Sequence, residues 1–378
     1  MIRYINLTNR GFLKQYFFKK IKVTFKIFFI VVFLTLAVDF LFGKFLLSTF
    51  DKKSKPLPYV DHDIYDHTLK KNFKEKITWE DAIPYEYCTD KNGFRSKCTS
   101  QKEVSNKKFD IAFLGDSFTE GIGVEFSKTF VGLFEESYPN YNIANLAVTS
   151  YSPSVYLIKF KELLKEDYFF NRIFVFIDIS DIHDEAKKYD IKNNKIVRKK
   201  NQHLINLQKK INQLFPIITK SNKRLKNVII PSISKKFFPK NTKECNYLDK
   251  CYRKSSWTFE KNAYDPKYIS KSILSMEKLH KIAKDNNISL SIGVYPWPAQ
   301  LLYDGEKSRQ VKIWRDFCET RCEFFFNSFP DFFNIANKTN TAHVLDNYFI
   351  KGDVHFNEKG HKIIAENLNR VIKKKGLK

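Results

Sequence analysis

The chain of 378 residues has almost no acid where it has most base. Its first 22 residues hold Arg3, Arg10, Lys14, Lys19, Lys20 and Lys22, and not one Asp or Glu. Between Ala186 and Lys254, twenty Lys or Arg stand against three acids, Asp190, Glu244 and Asp249. Much of the formal charge of +25 is therefore one segment's property. Two readings stay open: lysine as the general surface residue of a Lys/Asn/Ile/Phe-rich chain, or a basic surface for an acidic partner. Cysteine at CxxC spacing is absent and no His adjoins a cysteine, which argues against a structural zinc site. No lysine follows the glycines of Gly115–Gly123 at Walker spacing, and GxGxxG is missing, which excludes the common phosphate loops. No internal repeat is visible. With 43% hydrophobic residues, 37 Phe and 19 Tyr, the chain can bury a sizeable core.

Residues 24–47 read TFKIFFIVVFLTLAVDFLFGKFLL, nearly all apolar. The 17 residues between Lys26 and Lys44 can just cross a bilayer if both lysines snorkel. Basic residues precede the run, and Lys52, Lys53 and Lys55 follow it, giving a moderate positive-inside bias. A cleaved signal peptide is the rival, but no small-x-small site follows the run, which favours an uncleaved signal anchor. Asp39 within the run needs a partner or a place near the interface. The expected organisation is a basic cytoplasmic N-terminus (1–22), a transmembrane anchor (23–47), a stalk and lead-in (48–108) and an extracytoplasmic domain (109–378). The basic stretch at about 186–265 reads as an insertion, with Leu204, Leu207, Ile211 and Leu214 at helical spacing.

Six cysteines fall in three close pairs: Cys88 with Cys98, Cys245 with Cys251, and Cys318 with Cys322. Local pairing is the simplest of several connectivities, and disulfides fit an oxidising compartment. The cluster Asp61, His62, Asp63, Asp66 and His67 reads as a solvated linker rather than a metal site. No metal and no cofactor is expected.

From Phe109 short apolar runs alternate with helical patterns. Strands are expected at Asp110–Leu114, Tyr141–Leu146, Arg172–Asp178, Ser289–Tyr295 and Glu323–Phe326. Helices are expected at Phe126–Tyr138, Pro153–Leu164, Tyr268–Lys284, Glu306–Cys322 and Asn357–Lys373. This alternation implies βαβ units and a parallel sheet covered on both faces.

Sites in such sheets form at the carboxyl ends of strands. FDIAFLGDSFTEGIG, residues 109–123, puts Ser117 there, either as a nucleophile or as part of a helix cap. A serine nucleophile needs a base. YFIKGDVHFNEKGH offers Asp353 and His355, two apart, so that Asp353 can orient His355 toward Ser117. His183 in DISDIHDE is the runner-up base, and His361 reads as a surface residue of the last helix.

GDSFTEG followed far downstream by DVHFNEKGH resembles the SGNH/GDSL hydrolase superfamily, over roughly residues 89–369 without the insertion. The resemblance implies a flavodoxin-like three-layer α/β/α sandwich and a Ser117–His355–Asp353 triad. Gly115-Asp116-Ser117 matches the first family block. Asp353-x-His355 departs from the commoner DxxH and is similar to membrane-associated and polysaccharide-modifying relatives. NLAVTSYSP looks like the second block, with Asn145 at its start and Ser150 in place of the oxyanion glycine. DISDIHDE looks like the third, with Ser180 in place of the oxyanion Asn and Asp181 after it. The implied oxyanion donors are Ser117, Ser150 and Ser180.

The function expected is a serine esterase acting on acyl or O-acetyl esters of envelope or extracellular glycans or lipids. The alternatives are a polysaccharide O-acetyltransferase served by a membrane acyl donor, a lipid-directed lipase or phosphodiesterase, and a degenerate glycan-binding relative. Export makes nucleic acid an unsuitable partner.

Overall fold

A computed structural model describes residues 20, 23–43, 57–79, 82–98, 107–199, 207, 210–215, 217, 246–250, 252, 254–260 and 266–377. The chain divides into two compact units, residues 1–54 with 201–243, and residues 55–200 with 244–378.

In the first unit, helix α1 (Val23–Gly43) is long and apolar enough to cross a membrane. Asp39, the acid inside it, is buried and accepts from the Ile217 N–H at 2.8 Å. A buried carboxylate needs such donors. Leu204 of the expected amphipathic stretch lies outside the described residues.

The second unit carries the sheet. Its strands are β1 (Tyr59–His62), β2 (Asp66–Leu69), β3 (Lys74–Ile77), β4 (Tyr85–Thr89), β5 (Arg95–Ser96), β6 (Lys108–Leu114), β7 (Ile143–Asn145), β8 (Phe169–Phe176), β9 (Tyr189–Lys192), β10 (Lys195–Arg198), β11 (Ser289–Val294) and β12 (Phe325–Asn327). Its helices are α2 (Ser117–Glu120), α3 (Phe130–Ser137), α4 (Pro153–Lys165), α5 (Asp181–Lys187), α6 (Pro266–Asp285), α7 (Pro298–Tyr303), α8 (Arg309–Cys318), α9 (Phe329–Lys338), α10 (Thr341–Tyr348) and α11 (Glu358–Lys375).

Five parallel strands lie in the order β7-β6-β8-β11-β12. Counted along the chain this is 2-1-3-4-5, the flavodoxin-like order, with its switch point between β6 and β8. The period of two divides each strand between the two faces. Ala112, Leu114, Ile173 and Val175 pack with α4, α6 and α8 on one side. Ile111, Phe113, Phe174 and Phe176 pack with α3 and α11 on the other. The result is the expected three-layer α/β/α sandwich. Gly293 on β11 is required by close packing, because a Cβ there would collide with the Phe176 ring.

The lead-in departs from expectation. Residues 57–98 are not a stalk: β5, β4 and β3 extend the sheet antiparallel from β7, and β1 with β2 forms a separate hairpin. The four residues of β3, Lys-Glu-Lys-Ile, expose three side chains, so an edge strand reads locally as polar linker. Buried Arg95 ties this extension down, its guanidinium 3.9 Å from the Tyr87 ring centroid and bonded to the carbonyls of Cys88 and Val124. The insertion is also narrower than expected. β9 and β10 pair as a hairpin of this unit, and Trp257 lies in its core.

Two of the three expected disulfides are present, joining Cys88 to Cys98 and Cys318 to Cys322. The third expected pair, Cys245 with Cys251, lies outside the described residues.

Candidate active site

β6 delivers Gly115, Asp116 and Ser117 to the switch point. A Cβ at residue 115 would strike Thr119, which packs against the turn. Asp116 caps the short helix α2, accepting from the Phe118 N–H at 3.1 Å. The cap and the candidate nucleophile are thus different residues. Ser117 begins the helix, and its hydroxyl lies 2.8 Å from His355 Nε2 and 3.2 Å from Asp116 Oδ2.

Behind the imidazole, His355 Nδ1 is 2.8 Å from Asp353 Oδ2. A carboxylate only accepts, so Nδ1 carries the proton there and Nε2 is left to accept from Ser117. Asp353 also accepts from the Val354 N–H at 2.6 Å and from the indole N–H of Trp79. Burial pushes the Asp353 carboxyl up, but the hydrogen bond and charge of His355 and the Trp79 and Val354 donors outweigh it and hold the group below its ordinary value. The Trp79 ring stands edge-on to His355 at 5.7 Å, and Phe118 covers the imidazole at 4.7 Å. Trp79 carries no motif; only its place in the fold reveals it.

The expected oxyanion residues are placed unevenly. The Ser117 N–H is at the first helical position, where no intrahelical partner exists. Among the described residues, neither this N–H nor that of Ser150 has a hydrogen-bond partner. Ser150 has φ +65°, the left-handed region that suits glycine and costs another residue roughly 1–2 kcal/mol. Its backbone is one that glycine adopts without strain. Asn145 braces this loop, donating to Thr119 O at 2.8 Å and accepting from the Ala147 N–H. Ser180, by contrast, turns its N–H and its hydroxyl to Asp178. His183 lies on α5 with Nδ1 3.2 Å from Asp184, and it is His355 that meets Ser117.

His361 is not on the surface. It is 1% exposed and accepts the Phe130 N–H at its Nδ1. Burial, with the charge of His355, pushes it down to about 3. Three acids under the site, Asp116, Asp178 and Asp181, each bring one oxygen within 4.8 Å of the others. Burial first, then mutual repulsion, raises Asp116 and Asp181 well above the ordinary range. Asp178 is raised by burial against the donors of Ser180 and Trp297. Most of their oxygens take protein donors, from Phe118, Tyr156, Ser180 and Trp297. Held protons relieve the repulsion among such a trio.

The arrangement is a hydroxyl, an imidazole and a carboxylate in series, with the Ser117 N–H unpaired at the start of α2. That series is chemically able to activate a serine for acyl transfer.

No protein-family model matches the chain, and no curated protein does. Similar solved structures include a member of the lipolytic protein G-D-S-L family from Veillonella parvula, at 13% identity. It has a TM-score of 0.37 and is matched over 70% of this chain and 98% of that one. The psychrotrophic esterase EstA from Pseudoalteromonas is 12% identical over 71% of this chain and 98% of its own, with a TM-score of 0.34. A GDSL-like lipase from Bacteroides thetaiotaomicron is 11% identical over 71% and 88%, with a TM-score of 0.29. At such identities and scores the chemistry rests on the geometry above.

Proposed function

We propose that the protein is a serine esterase of the SGNH/GDSL type, anchored by α1 and acting outside the cytoplasm. The observation that carries this reading is the 2.8 Å approach of His355 to the Ser117 hydroxyl, with Asp353 at 2.8 Å behind it. His355 Nε2 removes the hydroxyl proton as Ser117 Oγ attacks an ester carbonyl. The tetrahedral oxyanion is met by the N–H groups of Ser117 and Ser150. His355 then protonates the departing alcohol, and water resolves the acyl-enzyme by the same steps in reverse order. Asp353, kept ionised, stabilises the imidazolium throughout.

The substrate class follows from placement. An apolar helix at the N-terminus and two disulfides in the second unit support an extracytoplasmic site. Acyl or O-acetyl esters of envelope glycans or lipids are the esters found there, and the basic stretch from Ala186 to Lys254 suits an acidic substrate. The test is p-nitrophenyl acetate turnover by the full-length protein in detergent. Turnover that disappears in Ser117→Ala supports the reading; turnover that survives it sinks the reading.

A further inference from the structure

Within the Asp61–His67 cluster, Asp66 and His67 are bonded into the fold rather than solvated. Asp66 and Arg198 pair through two bonds of 2.6 and 2.8 Å, and Asp66 Oδ2 lies 2.7 Å from His67 Nδ1. The other ring nitrogen of His67 donates to the carbonyl of Thr149 at 2.8 Å. Two further groups, Glu120 and Tyr59, close on Thr149. Buried Glu120 accepts from the Thr149 N–H at 2.6 Å and from its hydroxyl at 2.8 Å. The Tyr59 and Tyr87 hydroxyls donate to the other Glu120 oxygen, and Tyr59 also lies 3.0 Å from the Thr149 hydroxyl. Tyr151, one residue beyond Ser150, donates back to His67 O.

These bonds matter because of which peptide they hold. The carbonyl of Thr149 and the N–H of Ser150 belong to one planar trans unit and point in opposite directions. Fixing that carbonyl on His67 fixes the Ser150 N–H on the far side. Ser150 has a reason to leave: at φ +65° it is strained, and a flip of the Thr149–Ser150 peptide would relax it while swinging the N–H around. We propose that the β1–β2 hairpin is a positioning element for the oxyanion, in which His67, with Glu120 and Tyr59, holds this peptide against the flip that a serine at residue 150 invites. The inference rests on the esterase reading, in which the Ser150 N–H faces the oxyanion.

Ser150→Gly is the discriminating change, since glycine occupies positive φ without strain and has no drive to flip. Full-length protein in detergent is assayed with p-nitrophenyl acetate, alongside Ser117→Ala. His67→Ala is expected to lower kcat by about 10²-fold, the size of losing one oxyanion donor, with KM within about threefold. His67→Gln, which keeps a neutral N–H for the carbonyl, is expected to lose less than about tenfold. Adding Ser150→Gly to His67→Ala is expected to return kcat to within about tenfold of the parent. A merely structural role for His67 would not respond to a glycine at residue 150. Should His67→Ala melt too early to assay, Tyr59→Phe supplies the same test: a smaller kcat loss, erased by Ser150→Gly. Ser117-dependent turnover that ignores these hairpin variants, or a loss that Ser150→Gly fails to repair, overturns the inference and leaves the esterase reading standing. Turnover that survives Ser117→Ala overturns both.

Discussion

On one side of the Ser117 hydroxyl, His355 meets it directly and Asp353 stands behind His355, both side chains carried on one short loop. On the other side, the candidate donors are backbone N–H groups, and the Ser150 donor takes its aim from residues about thirty to ninety positions away in the chain. The first side depends on residue identity, so substitution there removes chemistry outright. The second depends on backbone conformation, so a residue other than glycine can hold the positive φ of Ser150 if something else holds the peptide. That difference makes the first side sensitive to residue identity and the second to what braces the loop.

The largest losses are expected from changes at His355 and Asp353. His355→Ala, and Asp353→Asn with its wrong tautomer, are each expected to lower kcat by about 10⁴-fold in an ester assay, with unchanged melting temperature. A loss below tenfold in both would leave His355 and Asp353 without a catalytic role. Trp79→Phe keeps a ring but removes the N–H from Asp353, and a kcat loss of about tenfold is expected, with KM little changed. Ser180→Ala sharpens the contrast from the donor side. Both donors of Ser180 go to Asp178, so the change is expected to cost no more than about threefold, far below the 10²–10³ of a true oxyanion donor. A hundredfold loss would return Ser180 to the oxyanion.

The smallest effect concerns stability. His361 packs against Phe356, beside the triad loop, and burial lowers it from 6.5 to about 3. Between those values the unfolded chain binds a proton that the folded chain refuses. Its contribution is therefore present above the unfolded value and is lost as pH falls from about 6.5 toward 3. His361→Asn, which keeps an acceptor for the Phe130 N–H, is expected to melt with a shallower acid dependence than the parent over that window. Parallel curves would refute it.

Much of the triad side is legible in sequence because its signals are local: an apolar strand ending in Gly-Asp-Ser, and an Asp and a His two residues apart. The sheet is legible for the same reason, since β6, β8 and β11 are buried runs of apolar residues. The cysteine pairs Cys88 with Cys98 and Cys318 with Cys322 are likewise close in sequence and close in space. What is not legible is tertiary. Trp79 sits in a polar lead-in and has meaning only because β3–β5 fold back onto β7. The Asp61–His67 cluster reads as linker because its partners, Thr149 and Arg198, are far along the chain. His361 does leave a signal: with Ile364, Ala365 and Leu368 it falls at i, i+3, i+4 and i+7 of α11, on the buried face. Charge in the surrounding lysines masks it.

The most direct measurement is fluorophosphonate labelling of the full-length protein, read by intact mass and by mapping the modified residue. One adduct per chain is expected, on Ser117, lost in Ser117→Ala and strongly slowed in His355→Ala. Failure to label, or an adduct on any other residue that persists in Ser117→Ala, would contradict it.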